Sequence, residues 1–180
     1  MTDGVYAALQ PAELRFDDCN SAIVILDDGV LVVDSQTSPL GARAVLAEIR
    51  KLTTKPVRWL VNTHWHSDHV LGNQVYQEAF PQVMILAHRN THRDFFKRTV
   101  PALKEDREGM AAWLERARKA LETGEADGQK LTDQQKEAVR GRIERRSAYL
   151  KKLEAVTDFA PPNLTFDRRY LVAGGRAEVL

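Results

Sequence analysis

The segment Val61-Asn62-Thr63-His64-Trp65-His66-Ser67-Asp68-His69 places three imidazoles and one carboxylate within six residues, directly after a β-branched run. Imidazole and carboxylate are the usual zinc ligands where cysteine is unavailable. His64 and His66 are two positions apart, so in an extended segment both rings project to one side and can share one metal. Asp68 and His69 follow where the loop is expected to turn into a helix, and can face a neighbouring metal. Two divalent ions about 3.5–4 Å apart would give a hydrolytic site with a bridging hydroxide. So dense a group of ligand-capable side chains is hard to explain as packing, because without a cation the cluster is electrostatically wasteful.

On either side of this loop the chain alternates strand and helix signals. Upstream, Ala22–Leu26 and Val30–Val33 are β-branched runs joined by the turn signal Asp27-Asp28-Gly29, which predicts a hairpin. Pro39 to Lys51 carries Leu40, Ala44, Val45, Leu46, Ala47 and Ile49 at helical spacing, with Pro39 suited to a first turn. Val57–Val61 reads as a third strand. Downstream, Val70–Phe80 is a helix candidate closed by Pro81, and Val83–Ala87 is a fourth strand. Strand, strand, helix, strand, helix, strand points to a layered α/β architecture.

From Lys97 to Asp158 the composition shifts to Lys, Arg, Glu, Ala and Leu. Two helical stretches, Ala102–Leu121 and Thr132–Ala155, flank Gly124 and Gly128, and Thr132 with Gln135 has capping-box form. The expected domain plan is therefore a core at 1–100, an inserted helical hairpin at 101–156, and a return to core strands at 157–180. In that last part Leu164–Phe166, Tyr170–Val172 and Glu178–Leu180 read as strands, with Gly174-Gly175 as a hairpin turn. The basic run from Arg140 to Arg146 reads as a solvated helix face.

Lys plus Arg number 26 and Asp plus Glu 25, for a formal charge of +1 over 180 residues. That balance argues against a nucleic-acid partner. No apolar run approaches the roughly 18 residues of a membrane span. The single cysteine, Cys19, excludes an internal disulfide framework and a multi-cysteine metal site, and reads as a small buried apolar residue. Met1-Thr2-Asp3-Gly4 lacks the features of a signal peptide, so the expected location is cytoplasmic if Met1 is the native start and exported if a leader precedes it.

His64-Trp65-His66-Ser67-Asp68-His69 resembles the His-x-His-x-Asp-His signature of the metallo-β-lactamase fold superfamily. Asn20–Val24, Gly29–Ser35, Asn62-Thr63 and Gly72-Asn73 are similar to the family's surroundings of that motif. The resemblance is close over residues 4–95 and loose over 160–180, and it leaves the helical hairpin without a counterpart. It implies an αββα sandwich of the α/β (α+β) class, of which this chain would be the N-terminal half. It implies two zinc ions per complete site, with His64 and His66 on the first, Asp68 and His69 on the second, and Asp68 also orienting the nucleophilic hydroxide. Asp34 falls where the family places a buried acidic residue supporting the metal loop. The family completes its ligand set downstream, whereas here only His88 and His92 follow His69, both too early.

The reading that results is a zinc-dependent hydrolase acting on a small-molecule substrate, a lactam, lactone, ester or thioester, with residues 1–180 alone expected to be inactive. Two alternatives stay open. One is a non-catalytic metal-binding or protein-interaction module whose hairpin is the interface. The other is an iron-dependent oxidoreductase using the same ligands. The substrate-contacting residues and the oligomeric state are left open by the sequence.

Overall fold

The computed structural model describes residues 3–11, 18–175 and 177–179. Its main sheet begins with β1 (Val5–Ala8), β2 (Ser21–Ile25) and β3 (Val30–Val33), all antiparallel. The Leu26 N–H donates to the Gly29 carbonyl at 2.9 Å, which closes the turn foreseen at Asp27-Asp28-Gly29. The strand β1 has no strong signal, since its Val5 and Tyr6 are exposed.

Helix α1 (Pro39–Leu52) follows β3 and returns the chain to β4 (Val57–Asn62), which runs parallel to β3. Ser38 caps this helix by accepting from the Gly41 N–H at 3.3 Å, and Pro39 occupies the first turn, where no N–H is needed. Ala42, Val45, Leu46 and Ile49 form its buried stripe. They pack with Ile23, Val30, Val32 and Leu60 on one face of the sheet. Burial of each larger side chain contributes about 1.5–3 kcal/mol.

In place of the single helix expected over 70–80 stand two short ones, α2 (Ser67–Val70) and α3 (Asn73–Ala79). The break falls at Gly72, whose N–H donates to the Gln36 carbonyl at 3.0 Å. A Cβ at this position would overlap the Ser35 carbonyl oxygen, so contact with the loop after β3 interrupts the helix. β5 (Met84–His88) then adds parallel to β4.

Helix α4 (Arg89–Asp94), a π-helical turn (Phe95–Thr99) and α5 (Val100–Thr123) form a continuous helical run, longer at its start than the expected one. Pro101 cannot donate to the preceding turn and crowds it, which accounts for the wide turn just before it. Gly124, Asp127 and Gly128 take left-handed conformations and form a small turn with β6 (Glu125–Ala126) and β7 (Gln129–Lys130). Helix α6 (Asp133–Glu154) begins with the capping box formed by Thr132 and Gln135.

The bases of α5 and α6 belong to the body of the molecule. Leu103, Leu153 and Val156 are buried together with Leu71, beside the motif loop. Arg107 donates to the Leu153 and Val156 carbonyls, and Lys152 Nζ meets Asp18 Oδ2 at 2.5 Å.

After the pair, β8 (Leu164–Phe166) adds parallel to β5. β9 (Val172–Gly174) begins two residues later than expected and pairs with β10 (Ala177–Val179). Leu180, expected to belong to the last strand, lies outside the described residues. The main sheet reads β1-β2-β3-β4-β5-β8. Its second face gathers Leu26, Leu31, Trp59, Leu86 and Val172. Helices on one face and a second small sheet at the other make a layered α/β fold, in agreement with the α/β class expected from the sequence. No helix among the described residues is long and apolar enough to cross a membrane.

Candidate metal centre

The motif loop leaves the carboxyl end of β4 and enters α2, at the edge where the parallel strands end. Next to it, the loop after β3 holds Asp34 and Gln36 at φ values of 64° and 77°. Both residues are buried, and such conformations are sparsely populated by side chains other than glycine. The strain is offset by hydrogen bonds. Ser21 Oγ donates to the Asp34 carbonyl at 2.8 Å, and Gln36 Nε2 donates to Ser21 Oγ at 2.7 Å.

Asp34 is the hub of the site. Its Oδ1 accepts from the Thr63 N–H at 2.8 Å, its carboxylate accepts from Thr63 Oγ1, and its Oδ2 lies 2.8 Å from His69 Nδ1. Thr63 spends its only hydroxyl proton on Asp34, so at 3.0 Å it accepts from His64 Nδ1–H. His64 and His69 therefore both commit Nδ1 to the protein and leave Nε2 for a ligand.

His64 stands between the other two rings, with centroids 4.5 Å from His66 and 4.1 Å from His69. His69 Nε2 is 3.1 Å from Asp68 Oδ2. Two ligands of one tetrahedral zinc, each about 2.0 Å from the metal, stand roughly 3.3 Å apart, so this pair fits one shell. Among the described residues no three His, Cys, Asp or Glu side chains converge as a closed metal shell. Asp68 and His69 form the donor pair that the loop brings together.

Electrostatics follow from this crowding. Burial lowers the His64 pKa, and the neighbouring His69 and His66 lower it further. Burial alone would lower His69 too, but hydrogen bonds to Asp34, Asp68 and Cys19 raise it to about 12. The hydrogen bond from His69 holds Asp68 below the usual carboxylate range against the opposing effect of burial. Without metal, His69 is an imidazolium donating to two carboxylates, and a metal on Nε2 would take the place of that proton.

The backbone of His69 is pinned as firmly as its ring. Its carbonyl accepts from the Ser35 N–H at 2.9 Å, Ser35 Oγ at 3.1 Å and Asn62 Nδ2 at 3.1 Å. Asn62 and Asn73 exchange amide hydrogen bonds at 3.0 and 2.8 Å, and Asn73 also donates to the Ala160 carbonyl at 2.9 Å. The motif neighbours Asn62, Thr63 and Asn73 are visible in the sequence, but their partners are not. Ser35 entered the sequence reading only as the end of the Gly29–Ser35 segment and Cys19 only as a small buried residue, because their link to His69 is made by the fold.

His88 and His92 stand apart from this cluster. The Asn90 N–H donates to His88 Nδ1 at 3.1 Å, so Nε2–H donates to the Asp167 carbonyl at 3.0 Å and both nitrogens are spent. His92 packs edge-on against Phe96, with centroids 5.3 Å apart.

The family model described as Metallo-beta-lactamase superfamily matches residues 14–133. A hydroxyacylglutathione hydrolase from Gloeobacter violaceus is 33% identical over 106 residues, covering 59% of this chain and 41% of that protein. A linear primary-alkylsulfatase from a Pseudomonas species is 41% identical over 49 residues, covering 27% of this chain and 9% of that protein. The chain thus spans less than half the length of the curated relatives it matches. Among solved structures, a metallo-β-lactamase from Erythrobacter litoralis superposes with a TM-score of 0.47 at 20% identity, over 55% of this chain and 44% of that one.

Proposed function

Because the chain belongs to the metallo-β-lactamase superfamily, we propose that it carries one ligand loop of a zinc-dependent hydrolase acting on a lactam, lactone, ester or thioester. The matched relatives are by name a hydrolase and an alkylsulfatase, which supports hydrolysis as the reaction class. The observation that carries the reading is the pairing of His69 Nε2 with Asp68 Oδ2, while Asp34 fixes Nδ1 of the same ring.

In this reading His64 and His66 hold one zinc, and Asp68 and His69 hold a second. Zinc bound there acts as a Lewis acid and makes hydroxide available near neutral pH. The chain's own residues do the positioning. Asp34 orients the His69 ring and, through Thr63, the His64 ring. The Asp68 side chain is about one-third exposed (36%), so water can reach its carboxylate, which orients the attacking oxygen. The Asn62–Asn73 pair and Ser35 hold the His69 backbone so that its ring need not reorganise during the reaction.

Metal stoichiometry and turnover of a chromogenic lactam, lactone and thioester panel test this in the protein and in its His66→Ala variant. Zinc content and hydrolysis should fall together. Unchanged zinc content in the variant would overturn the ligand assignment.

A further inference from the structure

Beside the ligand loop lies a cavity of about 300 Å³ whose wall is shared between the motif and the two long helices. The motif contributes Trp65, His66 and Asp68 among its residues, α5 contributes Leu103 and Asp106, and α6 contributes Tyr149. This wall is tied to the loop, since Thr99 Oγ1 donates to the Trp65 carbonyl from the π-helical turn. The Arg98 guanidinium also lies 5.0 Å from the Trp65 ring centroid. Wide turns of this kind recur at functional sites, and this one directs the next two turns of α5 toward the cavity.

The lining has a definite chemistry. Trp65, Leu103 and Tyr149 present aromatic and aliphatic surface. Asp106 is the lining carboxylate that the zinc reading leaves unassigned. Asp106 is an exposed residue whose carboxyl is partly covered, and that partial desolvation, reinforced by the adjacent Glu105, raises its pKa. The nearby cations have partners other than Asp106. Arg107 is bound to the Leu153 and Val156 carbonyls, Arg98 to the Trp65 face and Asp94, and Lys104 to Glu108. Among the described residues none is ion-paired with Asp106. Aromatic walls with an uncompensated carboxylate form a receptor for an organic cation.

We propose that this cavity is a substrate subsite that takes an ammonium-bearing, otherwise apolar arm, with Asp106 selecting the charge and Trp65, Leu103 and Tyr149 enclosing the body. The inference rests on the hydrolase reading for the word substrate, and it deepens that reading by giving the substrate a chemical feature. It also gives the helical pair a role at the site.

The test compares choline with its uncharged carbon isostere, dimethylbutanol, titrated into the 180-residue chain with and without zinc and followed at the Trp65 indole N–H by NMR. Choline should bind about fivefold more tightly than the isostere. Asp106→Asn should abolish that preference while leaving isostere binding unchanged. Tyr149→Leu should weaken both ligands, with circular dichroism confirming that the helices persist. Equal binding of the two probes, the absence of saturable binding, or a preference that survives Asp106→Asn would overturn the proposal. If the choline preference holds but His66→Ala leaves zinc content unchanged, the zinc-hydrolase reading fails and the cation subsite stands.

Discussion

The sheet with its ligand loop and the pair of long helices are held in different ways. In the first, buried polar groups answer one another across the chain: Asp34 with Thr63 and His69, Ser21 with Gln36, Asn62 with Asn73. In the second, only Leu103, Leu114 and Ala117 of α5 and Leu153 of α6 are buried, and most of the remaining side chains are polar or charged. Satisfied buried networks rigidify and specify a single arrangement, whereas a helix pair with a sparse seam owes its stability to local propensity and to its anchored base. The motif loop therefore sits on the part of the molecule that tolerates least change, and the cavity wall on the part that tolerates most.

The sharpest way to break this contrast is at Gly72. A methyl group there meets the Ser35 carbonyl, a backbone atom that cannot move without pulling Asp34 and Gln36 with it. Gly72→Ala should cost about 4 kcal/mol in chemical denaturation and reduce zinc affinity as well. Asp34→Ala comes next. It removes the acceptor of Thr63 and His69 in a buried pocket, for about 3 kcal/mol, and frees both rings to rotate. A variant that kept wild-type zinc affinity would show that the ligand geometry is set elsewhere.

The same contrast explains what the sequence discloses. Strands β3 and β4 and helix α1 were legible because period-two and helical patterns, turn residues and caps all agree locally. The capping box at Thr132 was legible for the same reason. The His64–His69 motif is visible because its imidazoles and carboxylate are contiguous. What escaped depends on contacts between distant segments. β1 lacks a buried face and exists because Val5–Ala8 pairs with β2. The break at Gly72 comes from Ser35, thirty-seven positions upstream. Asp106 and Tyr149 join the site only because α5 and α6 fold back beside Trp65. Asp34 entered the reading through family resemblance, and its bond to His69 spans thirty-five residues.

At the boundary between the two regions, Lys152 and Asp18 form an ion pair with side chains only 18% and 6% exposed. Lys152→Met strands the Asp18 carboxylate and should cost about 2 kcal/mol, less than a fully buried pair because Asp18 keeps a 3.3 Å contact with the Thr37 N–H. Adding Asp18→Asn should recover part of that loss in a double-mutant cycle. Full additivity of the two changes would mean that the pair does not couple the helices to the core.

The smallest effect has the opposite sign and is the cleanest check on the comparison. Gly109 lies within α5 with nothing near the place a Cβ would take, and Gly141 lies within α6 with only the tip of Arg145 in reach. Neither has a left-handed backbone, so neither needs to be glycine for its conformation. Alanine at such positions restricts the unfolded chain and improves helix propensity, at no steric cost. Each of Gly109→Ala and Gly141→Ala should therefore stabilise the protein by about 0.5–1 kcal/mol, read from the denaturation midpoint, with zinc affinity unchanged. One methyl group would thus be disruptive at the loop contact and beneficial in the helices. Destabilisation by either helical variant would mean that these faces pack against something, and that the helical pair is less open than its burial pattern states.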